Sequence, residues 1–284
     1  MEFTDNIISE KEPVILLHGL LGQKRNFASL GTSLASQLQN KRRILAVDLR
    51  NHGDNTHDWR DEMSYANMAD DVLGFMDKHD MDKATLIGHS MGGKVAKSLA
   101  LSYPDRVAGL VVLDIAPVTY TSDDASWCMV QDIIAALTQV ELTPGKTKRD
   151  VDMELRKSVE DPALRGFVLT NVEVITSKEE KVQTLRWKIN IHAIANQLHR
   201  IASFDVKSMD MGGGDDEGGL DLHYDGDTFL INGGASSFVK HNHMPIISKY
   251  FPNYMLTTVR GSGHWVHAES PDATLALLKK YLDR

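Results

Sequence analysis

Four short, uncharged, largely apolar runs, each closed by a polar residue or glycine, set the fold class of this chain. They are Val14–Leu17 before His18-Gly19, Ile44–Val47 before Asp48, Ala84–Ile87 before Gly88, and Leu110–Leu113 before Asp114. Runs of this length between turn residues read as strands buried on both faces. Helix-compatible stretches separate them, over residues 26–39, 65–78 and 92–102. This alternation predicts a parallel sheet with helices on both faces. Right-handed crossovers then bring the C-terminal ends of the strands to one edge, where open α/β sheets bind their ligands.

The alternation stops after Pro117. Residues 118–204 carry helical spacing, as in Ile133, Ile134, Leu137 and Val140, with no convincing buried strand. Leu185, Ile189, His192 and Leu198, around Trp187, also read as one amphipathic helix. The expectation is a helical cap inserted over the active edge. Strands resume at Phe229–Ile231 and Tyr254–Val259, and a last helix is expected over 271–282, with Pro271 in its first turn. The organisation is therefore 1–117 as the first part of the core, 118–204 as the cap and 205–284 as the second part. Within the last, 205–227 holds eight acids, six glycines and the single base Lys207. That composition predicts a flexible acidic loop, and it lacks the register of an EF-hand calcium loop.

Composition excludes some functions. Acids outnumber bases 39 to 31, for a net charge of -8, so no phosphate-tracking surface and no nucleic acid are expected. No apolar run approaches the roughly 18 residues of a transmembrane helix. The one cysteine, Cys128, permits no internal disulfide and no cysteine-based metal site. Acidic residues near the N-terminus argue against a targeting leader. The expected compartment is the cytoplasm, or an organelle where a leader has been removed.

Gly88-His89-Ser90-Met91-Gly92 matches G-x-S-x-G in the required context, with a strand before it and a helix after it. Ser90 is the candidate nucleophile; its plainer alternative is a helix-capping serine. A hydroxyl attacks well only when a base takes its proton, and the resulting oxyanion needs preorganised N–H donors. The N–H of Met91 and that of Leu20, in the loop after the first strand, are the candidate donors. The candidate base is His264, in a Gly-rich loop between the last strand and last helix. Trp265 beside it walls off water. His267 and the pair His241 and His243 compete less well; with no third ligand evident, that pair reads as exposed polar residues. His89 is expected to contact neighbouring strands, and His18 and His52 to order loops.

The acid is the least constrained member. The loop after Phe229–Ile231, its usual place, reads Asn232-Gly233-Gly234-Ala235-Ser236-Ser237 and holds no carboxylate. Asp114, 24 residues after Ser90 and ending a neighbouring strand, is the favoured substitute. Its alternative is a loop cap beneath the insertion.

The His18–Gly22 block, Val47–Gly53 with its Arg-Asn-His-Gly, Gly88–Gly93, Asp114-Ile115-Ala116-Pro117 and Gly263–Ala268 resemble the α/β-hydrolase superfamily. The resemblance is to the group containing α/β-hydrolase domain-containing protein 11 and the bacterial YbfF esterases. It covers nearly the whole chain. Arg186–Asn190 also looks like that group's cap helix, while the acidic 205–227 insert departs from its pattern. The resemblance implies a mostly parallel sheet flanked by helices, and the Asp of the Asp-Ile-Ala-Pro block as triad acid. Together with Ser90, His264 and Asp114 it points to hydrolysis of a small-molecule carboxylic ester through an acyl-enzyme, without a cofactor or metal, and a modest pocket suggests short to medium acyl chains. A thioesterase is the alternative, as is a partner-binding protein of a metabolic enzyme complex. Trp127, Met129, Trp187 and Ile191 of the cap are expected to shape an apolar acyl pocket, with His18 and Trp265 also among the pocket residues.

Overall fold

The computed structural model describes residues 1–4, 9–176, 183–205 and 222–284. Its central sheet has six strands: β1 (Val14–Leu17), β2 (Ile44–Val47), β3 (Ala84–His89), β4 (Val107–Leu113), β7 (Thr228–Gly233) and β8 (Tyr254–Val259). Their order is β2-β1-β3-β4-β7-β8, and every pairing is parallel. The four runs read from sequence are buried apart from the half-buried Val47, as strands covered on both faces should be. Three helices connect the first four strands: α1 (Ala28–Gln37), α2 (Tyr65–Lys78) and α3 (Met91–Ser102). In α2 the Ser64 side chain caps the N-terminus, and Tyr65, Met68, Ala69, Val72 and Met76 form the buried stripe. The helices α9 (Met244–Tyr250), α10 (Val266–Glu269) and α11 (Pro271–Leu282) belong to the C-terminal part.

Two compact units emerge. The first comprises Met1–Leu49, Ser64–Thr119 and Ser203–Arg284; the second comprises Arg50–Met63 and Tyr120–Ala202. Residues 50–63 thus group with the insertion rather than with the strands that flank them. Asn51 explains how: it is buried at φ 62°, its side chain bonds both the N–H and the carbonyl of Arg60, and its own carbonyl accepts from Asn190 N–H at 3.0 Å. Lys188 adds an ion pair to Asp54 at 2.8 Å.

The second unit is not wholly helical. It contains α4 (Ala125–Thr138), α5 (Lys148–Leu155), α6 (Pro162–Leu169), α7 (Ile191–Asn196) and α8 (Leu198–Ala202). It also contains an antiparallel pair, β5 (Val172–Thr176) with β6 (Gln183–Trp187). The single helix expected around Trp187 is therefore wrong. Leu185 and Trp187 lie on β6, Ile189 in a turn, His192 on α7 and Leu198 on α8. The β-branched alternation of Val172-Glu173-Val174-Ile175-Thr176 was the local signal for strand. Most of the expected acidic loop, residues 206–221, lies outside the described residues.

The packing that positions the β3–α3 turn is backbone against backbone. A Cβ on Gly92 would lie 2.3 Å from the carbonyl oxygen of Leu17 in β1, and one on Gly88 2.3 Å from that of Gly92. Neither obstacle is a flexible side chain, so only glycine permits the approach. Gly92→Ala is expected to destabilise the fold by about 3 kcal/mol, the upper range for overpacking. Urea unfolding measures this; an unchanged midpoint would mean that the contact relaxes freely.

Candidate active site

Strand order places the site. The chain turns from β1 to β2 on one side and to β3 on the other, so the order switches between β1 and β3. His18-Gly19 and Ser90 follow those strands. Ser90 joins β3 to α3 with φ 52° and ψ -118°, a costly conformation for a residue with a side chain. Its N–H donates to Leu113 O at 3.0 Å, and its carbonyl accepts from Gly93 and Lys94. The side chain therefore stands at the N-terminal end of α3, where helix polarity favours negative charge.

Asp114 follows β4, also in the left-handed region at φ 53°. Its side chain has 0 % exposure. A buried carboxylate is tolerable only when its oxygens are hydrogen-bonded. Gly233 N–H donates to Oδ1 at 2.9 Å, the Ser236 hydroxyl donates to Oδ2, and His264 Nδ1 lies 2.7 Å from the same Oδ2. The loop after β7, where a carboxylate would have been usual, thus supplies donors to one arriving from β4. Gly233 fits this closely against the next loop: a Cβ there would lie 2.0 Å from Gly263 O.

With Nδ1–H committed to Asp114, the other nitrogen of a neutral His264 is an acceptor. The ring lies 4.1 Å from Phe238, 4.7 Å from His89 and 5.4 Å from Trp265, centroid to centroid, and its side chain keeps 15 % exposure. His89, the residue before Ser90, donates from Nε2 to the carbonyl of His264 at 2.9 Å. Glu269 accepts from Gly263 N–H at 2.6 Å and from Trp265 N–H at 3.1 Å. Ser236, Glu269 and the His89 contact were not singled out from sequence, because each acts across a loop whose path the sequence does not specify. The absent carboxylate in 232–237 was the available hint of Ser236.

Behind His264 lie further buried imidazoles. Burial first, then the nearby rings of His267 and His264, hold His89 well below the usual histidine range. Burial, then His264, brings His267 down to about 4; it packs on Phe27 and His89, and its Nδ1 has no hydrogen-bond partner among the described residues. His18 is also lowered, chiefly by burial. It accepts Leu49 N–H at Nε2 (2.9 Å), and its Nδ1 bonds Gly19 O at 2.8 Å, so both ring nitrogens brace the loop.

That loop carries Leu20, flanked by Leu21 at φ 59°. Among the described residues, neither Leu20 N–H nor Met91 N–H has a hydrogen-bond acceptor. Nearby, Lys24 pairs with Asp48 at 2.8 Å, which employs that carboxylate elsewhere, and Asn26 caps Gln23 N–H.

The expected pocket residues of the insertion lie within the second unit. Trp127 is buried against Tyr120, Ile191 is buried at the start of α7, and Trp187 is half-buried on β6. Met129 is 52 % exposed and lines an open groove of about 520 Å³ with Cys128, Ile133 and Leu164; Trp127, Trp187 and Ile191 do not line that groove. His243 corrects its expectation: it is buried, with Nδ1 accepting from Lys240 N–H, while His241 is exposed. Among the described residues no three His, Cys, Asp or Glu side chains are grouped to hold a metal, and no helix is long and apolar enough to cross a membrane.

A parallel sheet, a serine on a tight strand-to-helix turn and a carboxylate–imidazole pair at the strand ends describe a hydrolase scaffold. The family model for the alpha/beta hydrolase fold matches residues 12–271, and the chain belongs to that family. Among its relatives is the sn-1-specific diacylglycerol lipase ABHD11 of Mus musculus, 32 % identical over 273 residues, spanning 95 % of this chain and 80 % of that one. Another is the esterase YbfF of Escherichia coli strain K12, 31 % identical over 271 residues, spanning 95 % and 93 % respectively. Among solved structures, a marine microorganism esterase superposes with a TM-score of 0.82 at 32 % identity, covering 96 % of both chains.

The depressed His267 links the site to stability. The folded state holds it neutral down to about pH 4, whereas the unfolded chain protonates it near 6.5. The unfolded state therefore binds more protons in that window. The stabilisation is complete above about pH 6.5 and is lost as pH falls toward 4. Between pH 7 and 5 the loss from this residue is about 2 kcal/mol. In His267→Phe, the difference between unfolding free energies at pH 7 and pH 5 should shrink by that amount. An undiminished difference would show that His267 titrates alike in both states.

Proposed function

We propose that the protein is a serine esterase that hydrolyses carboxylic esters through an acyl-enzyme. The observation that carries this reading is the 2.7 Å contact between Asp114 Oδ2 and His264 Nδ1, beside the Ser90 turn. Ser90 Oγ attacks the ester carbonyl while His264 Nε2 removes its proton. The tetrahedral oxyanion is held by the N–H groups of Leu20 and Met91, each worth about 2.7–4 kcal/mol in comparable sites. Collapse expels the alcohol, which takes the proton from His264. Water then attacks the acyl-enzyme by the same route and releases the acid. Asp114 keeps the imidazole in the tautomer that leaves Nε2 free and stabilises the imidazolium.

Two features support this assignment of roles. The carboxylate is sealed from solvent and hydrogen-bonded at both oxygens, so it can orient without exchanging its partner for water. The backbone donors of Leu20 and Met91 are unoccupied among the described residues, as preorganised oxyanion donors should be. The relatives' names, esterase and diacylglycerol lipase, agree on carboxylic esters, and we extend that class to this chain. Substrates of short to medium acyl chain are the starting point, with diacylglycerol as the lipid to test.

The test is labelling by a fluorophosphonate probe together with hydrolysis of p-nitrophenyl esters of graded chain length. Wild type should label, and Ser90→Ala should not. His264→Ala and Asp114→Asn should lower turnover by about 10²–10⁴-fold with the fold retained. A wild-type protein that neither labels nor turns over any ester would overturn the reading in favour of a binding role. Activity surviving in Asp114→Asn would remove that residue from it.

A further inference from the structure

We propose that Glu269 and His89 are positioning residues for His264, acting together as a clamp on its main chain. This rests on the esterase reading above. His264 sits outside any strand or helix, after the glycine-rich run Gly261-Ser262-Gly263, where the Ser262 carbonyl accepts from Ala235 N–H at 2.9 Å two residues upstream. Such a segment has many conformations to lose, yet a displaced base of even 1 Å costs a large factor in rate. Something must hold it.

One main-chain group in each of three consecutive residues is held by two side chains. The N–H of Gly263 and that of Trp265 both donate to the Glu269 carboxylate, at 2.6 and 3.1 Å, one to each oxygen. The carbonyl of His264, between them, accepts from His89 Nε2 at 2.9 Å. The loop is thereby gripped from opposite ends. Glu269 belongs to α10, which follows the loop, whereas His89 belongs to β3 and immediately precedes Ser90. The second contact ties the backbone of the base directly to the strand that carries the nucleophile.

Helix capping does not account for Glu269. A cap needs only the bond to Trp265, at the start of α10; the shorter bond goes to Gly263, outside the helix. The carboxylate also sits close on that glycine, where a Cβ would meet its oxygens at 3.0 and 3.1 Å. Nor does packing alone account for His89. A leucine would fill much of the same space, but it could not donate to the carbonyl. Donation from Nε2 leaves Nδ1 of the neutral ring as the bare nitrogen, and that atom faces Gly19, where a Cβ would come within 2.8 Å. The same ring thus lies between the base's backbone and the loop that presents Leu20.

The test compares Glu269→Ala, His89→Leu and His89→Gln with wild type. The readouts are kcat and KM on p-nitrophenyl acetate, melting temperature, and the downfield proton resonance of the His264 Nδ1–H. Glu269→Ala and His89→Leu should each lower kcat about tenfold, with KM changed by less than about twofold, and broaden or shift the resonance. His89→Gln should recover most of kcat, because its amide can donate to the same carbonyl. Wild-type kcat with an unchanged resonance in Glu269→Ala, or a His89→Leu defect that glutamine does not repair, would overturn the clamp. Glu269 is exposed, so its variant tests the proposal even if His89→Leu does not fold. A wild-type protein with the resonance intact but no ester turnover would sink the esterase reading and leave the resonance to decide the clamp.

Discussion

A carboxylate with no solvent contact is the constraint around which the strand ends are organised. Removing Asp114 from water carries a penalty of several kcal/mol unless its oxygens are bonded. The bonds come from three places in the sequence: the end of β7 at Gly233, the following loop at Ser236, and the loop after β8 at His264. Each donor is separated from Asp114 by more than a hundred residues. The cost of burial is therefore offset only when β4, β7 and the loop beyond β8 have all reached their places. A local demand for hydrogen bonds becomes a requirement on tertiary structure. The same demand selects a single imidazole tautomer, which is what a base working at its other nitrogen needs.

The Ser90 side of the site depends on steric limits rather than charge. Ser90 and Asp114 both occupy the left-handed region, at φ 52° and 53°. Such conformations persist only where the surroundings over-determine them. Here the surroundings are the glycines, which let α3 descend onto the carbonyls of β1, and the register of β3 with β4, which pairs His89 with Leu113 just before the two turns. The paired register makes the two turns neighbours. The turns at Ser90 and Asp114 are thus consequences of one sheet geometry.

Much of this could be read from sequence because the strands of a parallel sheet announce themselves. Val14–Leu17 or Leu110–Leu113 can hardly be anything but buried, and the residue closing each run lands at the active edge. Asp114 was singled out in that way, because the loop at 232–237 holds no carboxylate, whereas Ser90 was singled out by the G-x-S-x-G turn after its strand and His264 by its place between the last strand and the last helix. What escaped was whatever depends on a loop's path. Ser236 and Glu269 are ordinary polar residues in sequence, and only folding brings them to a carboxylate and to two amides. The β5–β6 pair escaped for a different reason. Both strands are short and mostly half-buried or exposed, with Val172 and Leu185 their only buried residues, and apolar positions such as Leu185 and Ile189 happen to satisfy helical spacing as well. His243 was misjudged because an H-x-H pair in a polar stretch looks solvated, whereas one turn of 3₁₀ helix turns a single member inward.

Two lysines on α3 show how the fold accommodates buried amines. Lys94 and Lys97 are both buried, and burial pushes both amines well below the usual lysine range. Lys97 Nζ donates to Ile115 O at 2.7 Å, and Lys94 Nζ to Ser203 O at 3.0 Å. Ile115 directly follows Asp114, and Ser203 is where the chain re-enters the first unit. Both carbonyls belong to irregular segments that lack sheet partners, so an amine donor from the neighbouring helix satisfies them. The rings of Tyr65 and Phe204 lie 5.4 and 5.9 Å from the two amines, a contact that favours whatever positive charge remains. The helix that begins at Ser90 therefore also anchors the backbone just beyond Asp114. Ser90 and Asp114 are thus tied to the same helix, one at its N-terminal end and the other through the carbonyl of the next residue.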